Sequence, residues 1–195
     1  EILAAVPRGV KIRIDANQAY GLREAVGLWE AVGGAQVEFL EQPFAKGRWD
    51  LTRRLARSGA RILLDESIWS ERDLERAAEA GVGQVKLKLF KLASPRRSVR
   101  MIERARRLGL GVIWGNGFSG EIGNWHELLV ARLCRLSGAL ECNGYLRLSS
   151  SILDGGSVLR GRLGVDREKL GRHVLARREA VLPGSAVERL LEDSR

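Results

Sequence analysis

Short apolar runs alternate with longer amphipathic stretches along most of the chain. From Val10 the residues Val-Lys-Ile-Arg-Ile alternate apolar and polar positions, a period of two that predicts a strand ending at Asp15. The stretch from Leu22 to Val32 then carries apolar residues at helical spacing, and Gly33 with Gly34 predicts its end. The pattern therefore predicts a first unit in which a strand is followed by a helix.

The same unit recurs along the chain. Further strands are predicted to end at 41, 65, 88, about 115 and 141, and the first steps between strand ends are 26, 24 and 23 residues. Helices are predicted over 49–56, 71–80 and 97–108, and Asn124 is predicted to open another helix as a capping box with Glu127. Strands that alternate with helices at this period predict a parallel sheet.

Six successive units favour an α/β fold, a (β/α) TIM-type barrel, over a doubly wound sheet. A closed barrel of this type has eight strands, so we expect an incomplete barrel over residues 1–151 whose missing strands lie upstream. Residues 152–195 are expected to form a C-terminal extension that packs back on the barrel. It would contain a tight turn at 153–157 and helices over 165–174 and 186–191.

The chain has 195 residues, of which 45% are hydrophobic, and this composition is typical of a globular protein. The N-terminal residues do not resemble a signal peptide, no apolar run approaches a membrane span, and two cysteines make no disulfide framework, so a cytoplasmic location without membrane contact is expected. The net charge of +9 raises nucleic acid as a partner. Because the arginines are interleaved with glutamates on predicted helices and no nucleic-acid motif is present, we expect no nucleic-acid partner.

Lysine is concentrated in one strand. The chain has 27 Arg and 6 Lys, and three of the lysines, Lys86, Lys88 and Lys91, lie between Val85 and Leu92. Unlike arginine, lysine has an amine whose pKa can be lowered until it takes and returns a proton. The alternative interpretation is a basic strand end.

Acidic residues end three successive predicted strands, at Asp15, Glu41 and Asp65. Barrel enzymes have their active sites at the C-terminal ends of the strands, where these side chains are expected to converge. Carboxylates brought together repel one another unless a cation neutralises them, and an all-oxygen site suits Mg²⁺, with Mn²⁺ as the alternative. Chance placement of three acidic strand ends is the competing interpretation.

Four motifs in this order and spacing resemble the enolase superfamily, in particular the dipeptide-epimerase-like branch of the mandelate racemase/muconate lactonizing enzyme group. They are Asp15-Ala-Asn-Gln, Glu41-Gln-Pro, Asp65-Glu-Ser and Leu87-Lys-Leu-Phe-Lys. The resemblance covers about residues 1–175 and implies strands three to eight of the family's barrel. The family's second-strand Lys-x-Lys pair and N-terminal capping domain would then lie upstream of Glu1.

The resemblance also implies roles for individual residues. Asp15, Glu41 and Asp65 would be the metal ligands, Lys88 the acid/base residue and Lys91 its supporting catalytic partner. Asn17 and Glu66 would contact the ligands rather than the metal. The residues expected to contact substrate are Lys86, Asn116, Ser119, Glu121, Glu141 and Asn143.

The implied function is Mg²⁺-dependent removal of the proton next to a substrate carboxylate through an enediolate, by an isomerase or lyase. A racemase, epimerase or cycloisomerase acting on a small carboxylate is expected, with an acid-sugar dehydratase or a non-catalytic split half as alternatives. A homo-oligomer or a complementing N-terminal chain would be the protein partner. Glu141-Cys-Asn143 stands where dipeptide epimerases carry two aspartates for the substrate ammonium, and Ala93-Ser94-Pro95 replaces a glycine pair, so the substrate stays open.

Overall fold

The computed structural model describes residues 5–7, 9–32, 36–117, 119–138, 140–142, 156–159 and 162–165. Five parallel strands form one sheet whose spatial order is the order of the strands in the chain. They are β1 (Ile12–Asp15), β2 (Val37–Glu41), β3 (Ile62–Leu64), β4 (Gln84–Lys88) and β5 (Gly111–Gly115). The sheet curls into a half-barrel, which confirms the predicted α/β barrel class.

Helices connect successive strands of the sheet. They are α1 (Leu22–Val32), α2 (Trp49–Arg57), α3 (Glu71–Glu79), α4 (Leu89–Leu92), α5 (Pro95–Arg107) and, after the fifth strand, α6 (Glu121–Leu133). Two further strands, β6 (Gly156–Leu159) and β7 (Arg162–Val165), pair with each other in antiparallel register. No helix in the described ranges is long and apolar enough to cross a bilayer.

The hydrophobic core lies between the sheet and the helices. Its buried members from the strands and helices include Val37, Leu40, Ile62, Leu64, Val85, Leu87, Trp114, Ala25, Leu55, Leu74, Ala77, Met101, Ile102 and Ala105. Side chains alternate between the two faces of a strand, and full burial of one such apolar side chain contributes about 1.5–3 kcal/mol. Because Val85 and Leu87 of β4 belong to this core, Lys86 and Lys88 point to the opposite face of the sheet.

Two serine caps fix where helices leave the strand ends. Ser70 accepts a hydrogen bond from the backbone N–H of Asp73, whose carboxylate accepts one from the backbone N–H of Ser70, so α3 begins with a reciprocal capping box. Ser94 caps α5, which has Pro95 in its first turn. The loops before these helices therefore have defined lengths, and they carry the acidic and basic residues of the strand ends.

The structure corrects one predicted element boundary. Asn124 does not open a helix: α6 begins at Glu121 after the N-cap Gly120, and Asn124 lies inside it. The lysine strand ends at Lys88 as predicted, although apolar residues continue beyond it, because Leu89 and Phe90 begin the short helix α4. These apolar residues turn the chain toward α5.

The sixth barrel strand predicted to end at Glu141 is not found in the described part of the chain. Leu140–Cys142 have no regular structure, although the backbone N–H of Glu141 donates to the carbonyl of Trp114 at 3.2 Å. The tight turn predicted at 153–157 is wrong at Gly156 and Ser157, which are strand residues. Of the helix predicted over 165–174 only Val165, the last residue of β7, is described, so that helix stays a prediction. The helix predicted over 186–191 lies outside the described residues.

Candidate active site

The carboxyl ends of three neighbouring strands bring acidic residues to one edge of the sheet. Asp15, the last residue of β1, is in register with Glu41, the last residue of β2, and Glu41 is in register with Leu63 of β3. Asp65 directly follows β3. Asp15 is exposed, whereas Glu41 and Asp65 are buried, with relative exposures of 3% and 5%.

Glu41 is a buried carboxylate that an internal lysine neutralises. The Nζ of Lys86 lies 2.6 Å from its Oε1 and 2.9 Å from its Oε2, and only the Oε2 contact is a hydrogen bond, so Oε1 is a buried oxygen without one. Burial raises the pKa of Glu41 to about 7, against the opposing effect of Lys86. Asp15 and Asp65 add to the rise, because their negative charges disfavour a third one nearby.

Asp65 is held by two ammonium groups from the lysine run. Its Oδ2 forms an ion pair with Lys88, and its Oδ1 lies 2.8 Å from the Nζ of Lys91. Burial alone would raise the pKa of Asp65, but the charges and hydrogen bonds of Lys91 and Lys88 outweigh it and lower that pKa. Burial also lowers the pKa of Lys91, an effect that Asp65 opposes and Lys88 reinforces.

The three lysines differ in how many acceptors each ammonium has. Lys91 donates to the side chain and the carbonyl of Asp65, both at 2.8 Å, and to the carbonyl of Lys86 at 3.2 Å, so its three N–H groups all have partners. Lys86 contacts Glu41 and Glu141. Among the described residues Lys88 has one carboxylate partner, Asp65, and its side chain is 18% exposed. Lys88 is therefore the lysine best placed to meet a ligand.

The acidic edge, formed by Asp15, Glu41 and Asp65, offers the oxygen donors that a divalent cation prefers. The positions of these side chains do not form a metal site. Within the described ranges, no three acidic, histidine or cysteine side chains lie close enough together to hold a metal ion. Lysines occupy Glu41 and Asp65 instead. Three carboxylates at adjacent strand ends, one with a buried oxygen that lacks a hydrogen bond, are nevertheless suited to a hard cation. In donor chemistry the residues fit Mg²⁺ or Mn²⁺.

Neither Asn17 nor Glu66 forms a hydrogen bond with a predicted metal ligand through its side chain. The backbone N–H of Asn17 donates to the Oδ1 of Asp15 at 3.0 Å, and Asn17 has a positive φ of 44°. The Oε1 of Glu66 accepts from Gln18 at 3.4 Å. Their predicted support of the ligands stays a prediction.

The loop after β5 brings together two of the predicted substrate residues. The backbone N–H of Ser119 donates to the Oδ1 of Asn116 at 2.9 Å, while the Nδ2 of Asn116 is buried without a hydrogen bond in the described structure. Glu121 is the first residue of α6. Glu141 pairs with Lys86 at 2.9 Å, and Asn143 lies outside the described residues. Contact of these residues with substrate stays a prediction.

Sequence reasoning gave no role to Gln42, whose buried amide organises the strand ends. Its Oε1 accepts from the backbone N–H groups of Asp65 and Ser67, and its Nε2 donates to the carbonyl of Phe44 and to the hydroxyl of Ser67. It thereby fixes the backbone of Asp65 relative to Glu41. Its place in the Glu41-Gln-Pro motif was the available signal.

Glu127 is a second residue whose role sequence reasoning missed. This fully buried carboxyl accepts from the hydroxyl of Ser119 at 2.9 Å and from the amide of Asn124 at 2.6 Å. Burial raises its pKa, while hydrogen bonds from Asn124, Ser119 and Cys142 act in the opposite direction. Glu127 therefore links the loop after β5 to the segment that carries Glu141.

Comparison with known proteins agrees with this fold. The sequence profile described as Enolase C-terminal domain-like matches residues 1–159. The chain belongs to this family, whose members include epimerases and cycloisomerases.

Individual relatives cover more than half of this chain. It is 32% identical over 165 residues to the L-Lys-D/L-Arg epimerase of Methylococcus capsulatus, covering 82% of this chain and 46% of that protein. It is 30% identical over 148 residues to muconate cycloisomerase 1 of Pseudomonas putida, covering 73% and 39%. A crystal structure of the Methylococcus capsulatus dipeptide epimerase with Mg and the dipeptide L-Arg-D-Lys superposes with a TM-score of 0.72 at 29% identity, covering 80% and 45%. The chain spans less than half the length of each.

Proposed function

We propose that the protein removes the proton from the carbon next to the carboxylate of a small substrate, as a racemase, epimerase or cycloisomerase. The observation that carries the proposal is the position of Lys88. It ends β4 at the carboxyl edge of the sheet, is partly exposed, and contacts a carboxylate of the acidic edge. A lysine amine at such a position is a suitable acid/base group.

The other two lysines are less suited to proton transfer. Lys91 is 6% exposed and its ammonium is saturated by three acceptors, so it anchors the backbone and side chain of Asp65. Lys86 is 4% exposed and is held between two carboxylates. Lys91 then assists Lys88 indirectly, because it shares the carboxylate of Asp65 with it.

Asp15, Glu41 and Asp65 would hold the divalent cation, Mg²⁺ or Mn²⁺. When bound, such a cation supplies positive charge beside the substrate carboxylate, which makes loss of the neighbouring carbon-bound proton easier. In its neutral amine form, after losing a proton to solvent, the Nζ of Lys88 would take that proton from the carbon. The buried amide of Gln42 keeps the backbone of Asp65 in place during this step.

The names of the relatives support an isomerase without selecting the substrate. One relative is named as a dipeptide epimerase and another as a muconate cycloisomerase. Both reactions are compatible with a lysine beside the acidic edge. Removal of the proton next to the carboxylate can be the first step of an isomerase or of a lyase. The proposed substrate is accordingly a small carboxylate, without a finer assignment.

Deuterium uptake from heavy water tests the proton transfer directly. The assay uses the longest natural chain that contains this sequence, with dipeptides, N-acylated amino acids and hydroxy acids as substrates. Lys88→Arg keeps the positive charge and removes the titratable amine, so uptake at the substrate carbon should fall by about 10²-fold or more, while metal affinity barely changes.

Lys86→Arg is the matched control, because it makes the same replacement two residues away in the same strand. Retained uptake in Lys88→Arg together with loss in Lys86→Arg would assign the base to Lys86 and contradict the proposal.

A further inference from the structure

Lys86 joins two carboxylates from distant parts of the chain. Its Nζ lies 2.6 Å from the Oε1 of Glu41 in β2 and 2.9 Å from the Oε1 of Glu141, beyond α6. The lysine and Glu41 are buried, with side-chain exposures of 5% and 4%, whereas the side chain of Glu141 is 36% exposed. One ammonium thus neutralises a buried carboxylate and a partly solvated one.

The end of β5 provides the path by which Lys86 reaches Glu141. A Cβ added at Gly115 would lie 2.9 Å from the Cδ and 3.0 Å from the Cγ of Lys86. Carbon atoms that are not bonded to each other rarely approach this closely. The aliphatic part of the Lys86 side chain therefore occupies the space that the Cβ of any other residue at position 115 would need. Glycine at this position therefore allows the ammonium to reach past β5 toward Glu141.

If a divalent cation bound at the acidic edge, the carboxylate of Glu41 would have two cationic partners, the metal ion and the ammonium of Lys86. A divalent cation on Glu41 would repel the ammonium of Lys86, because like charges at such distances in a buried site interact strongly. A buried ammonium without any anion is also strongly unfavourable. Glu141 already lies within ion-pair distance, so the ammonium can leave Glu41 without becoming unpaired.

We propose that Lys86 is a resident counter-cation of Glu41, and that Glu141 is a positioning residue that holds the Lys86 ammonium when a divalent cation takes Glu41. This inference rests on the metal site of the proposed function. It assigns Glu141 to the control of metal affinity through Lys86, rather than to direct contact with substrate. Burial favours a lower pKa for Lys86, but hydrogen bonds and charges of both glutamates outweigh it and raise that pKa.

A double-mutant cycle on cation binding separates this exchange from simple charge effects. Mn²⁺ and Mg²⁺ are titrated calorimetrically into the wild type, Lys86→Met, Glu141→Gln and the double variant, after unfolding curves show that each is folded. Lys86→Met removes the competitor and should tighten binding on the order of tenfold, and Glu141→Gln should weaken it by a similar factor. In the Lys86→Met background, Glu141→Gln should change affinity by less than about twofold, because Glu141 acts only through the lysine.

Glu38→Gln is the matched control, since it removes a carboxylate of similar exposure, 33%, that pairs with Arg13. It should leave cation affinity within about twofold of the wild type in either background. Should Lys86→Met fail to fold, Lys86→Gln replaces it, because an amide can still hydrogen-bond both carboxylates.

The possible results distinguish the inference from the function on which it rests. Equal weakening by Glu141→Gln with and without Lys86 would show a plain charge effect and overturn the exchange, while leaving the metal site intact. Absence of cation binding in the folded wild type would overturn the metal site of the proposed function, and the exchange with it. A non-additive cycle with the stated signs supports both.

Discussion

Lysine at positions 86, 88 and 91 places three ammonium groups beside two buried carboxylates. Each of these carboxylates would be strongly disfavoured in its ionised form without a partner, since burial acts to raise both of their pKa values. The lysines therefore do for the structure what a bound cation would do. For Glu41 and Asp65, a lysine ammonium and a bound metal ion are therefore alternative partners of the same oxygen atoms.

At the residue scale we predict that Mg²⁺ or Mn²⁺ binding depends on the acidic edge. Asp15→Asn combined with Glu41→Gln removes two of three anionic ligands, so binding heat in a calorimetric titration should disappear or affinity should fall by at least about 10²-fold. Glu75→Gln, which removes a surface carboxylate paired with Arg104, is the control and should titrate like the wild type. Equal heats from all three proteins would rule out this site.

A second residue-scale prediction concerns the pH dependence of stability through Glu127. Its folded-state pKa is raised above the ordinary value of 4.5 by burial, so the folded protein holds this proton more tightly than the unfolded chain does. Stability from this group is therefore greatest at low pH and falls as the pH rises from 4.5 through the raised pKa, by at most about 1.4 kcal/mol per pH unit.

Glu127→Gln removes this titration and retains a side chain that can hydrogen-bond Ser119 and Asn124. The free energy of unfolding in urea, measured for both proteins at several pH values, should show a wild-type minus variant difference that falls as the pH rises. Glu41 titrates in both proteins and cancels in the difference. A difference that is constant with pH, or that rises, would contradict the assignment.

At the scale of elements, α6 and the loop before it approach so closely that one position requires glycine. A Cβ at Gly123 would lie 2.6 Å from the Cβ and 3.0 Å from the Oγ of Ser119, the residue whose hydroxyl donates to Glu127. Glycine in a helix is otherwise unfavourable relative to alanine by about 0.5–1 kcal/mol. The unfavourable free energy of glycine in α6 is offset because Gly123 lets the loop after β5 pack directly against the helix.

We therefore predict opposite effects for two alanine substitutions in helices. Gly123→Ala should lower the free energy of unfolding by about 1–3 kcal/mol, because the added methyl group displaces Ser119. Gly27→Ala in α1 has nothing within 4 Å of the added carbon and should raise it by about 0.5–1 kcal/mol. Chemical denaturation of both variants checks the pair, and stabilisation by Gly123→Ala would show that the loop is seated differently.

The first three strand ends were predictable from sequence because the chain changes there from apolar to acidic residues. Asp15, Glu41 and Lys88 end their strands as predicted, and Asp65 follows its strand directly. The helix starts were less predictable. Asn124 and Glu127 have capping-box spacing, yet their side chains pair inside α6, because the tertiary contact with Ser119 and not the local motif decides where that pair lies.

Long-range ion pairs were the least predictable part of the candidate site. Lys86 was expected to contact substrate, and the structure adds an ion pair between it and Glu41. Its sharing with Glu141, fifty-five positions along the chain, depends on the path past Gly115, which no local pattern reveals. The fold class thus follows from periodicity, whereas the charge balance of the site depends on packing.

At the scale of the whole molecule, the five-stranded sheet has two edge strands, β1 and β5. In the described structure β5 gains one further backbone contact, from the N–H of Glu141 to the carbonyl of Trp114. A closed barrel has no free edges, whereas an open parallel sheet presents unpaired backbone groups that can pair with another chain. Among the described strands, the outer edges of β1 and β5 therefore have no neighbouring strand to pair with.

We predict that the 195-residue chain by itself is weakly stable and self-associates. Multi-angle light scattering over a concentration series should show a mean mass above the 21.6 kDa of one chain, rising with concentration, because edge pairing is intermolecular. Supplying strands that pair with β1 and β5 to close a barrel, either on a separate chain or on a longer one, should sharpen the thermal transition by pairing these edges within one barrel. A monodisperse monomer of the 195-residue chain with a cooperative melt would show that the edges are already covered, and that the sheet is a complete folding unit as it stands.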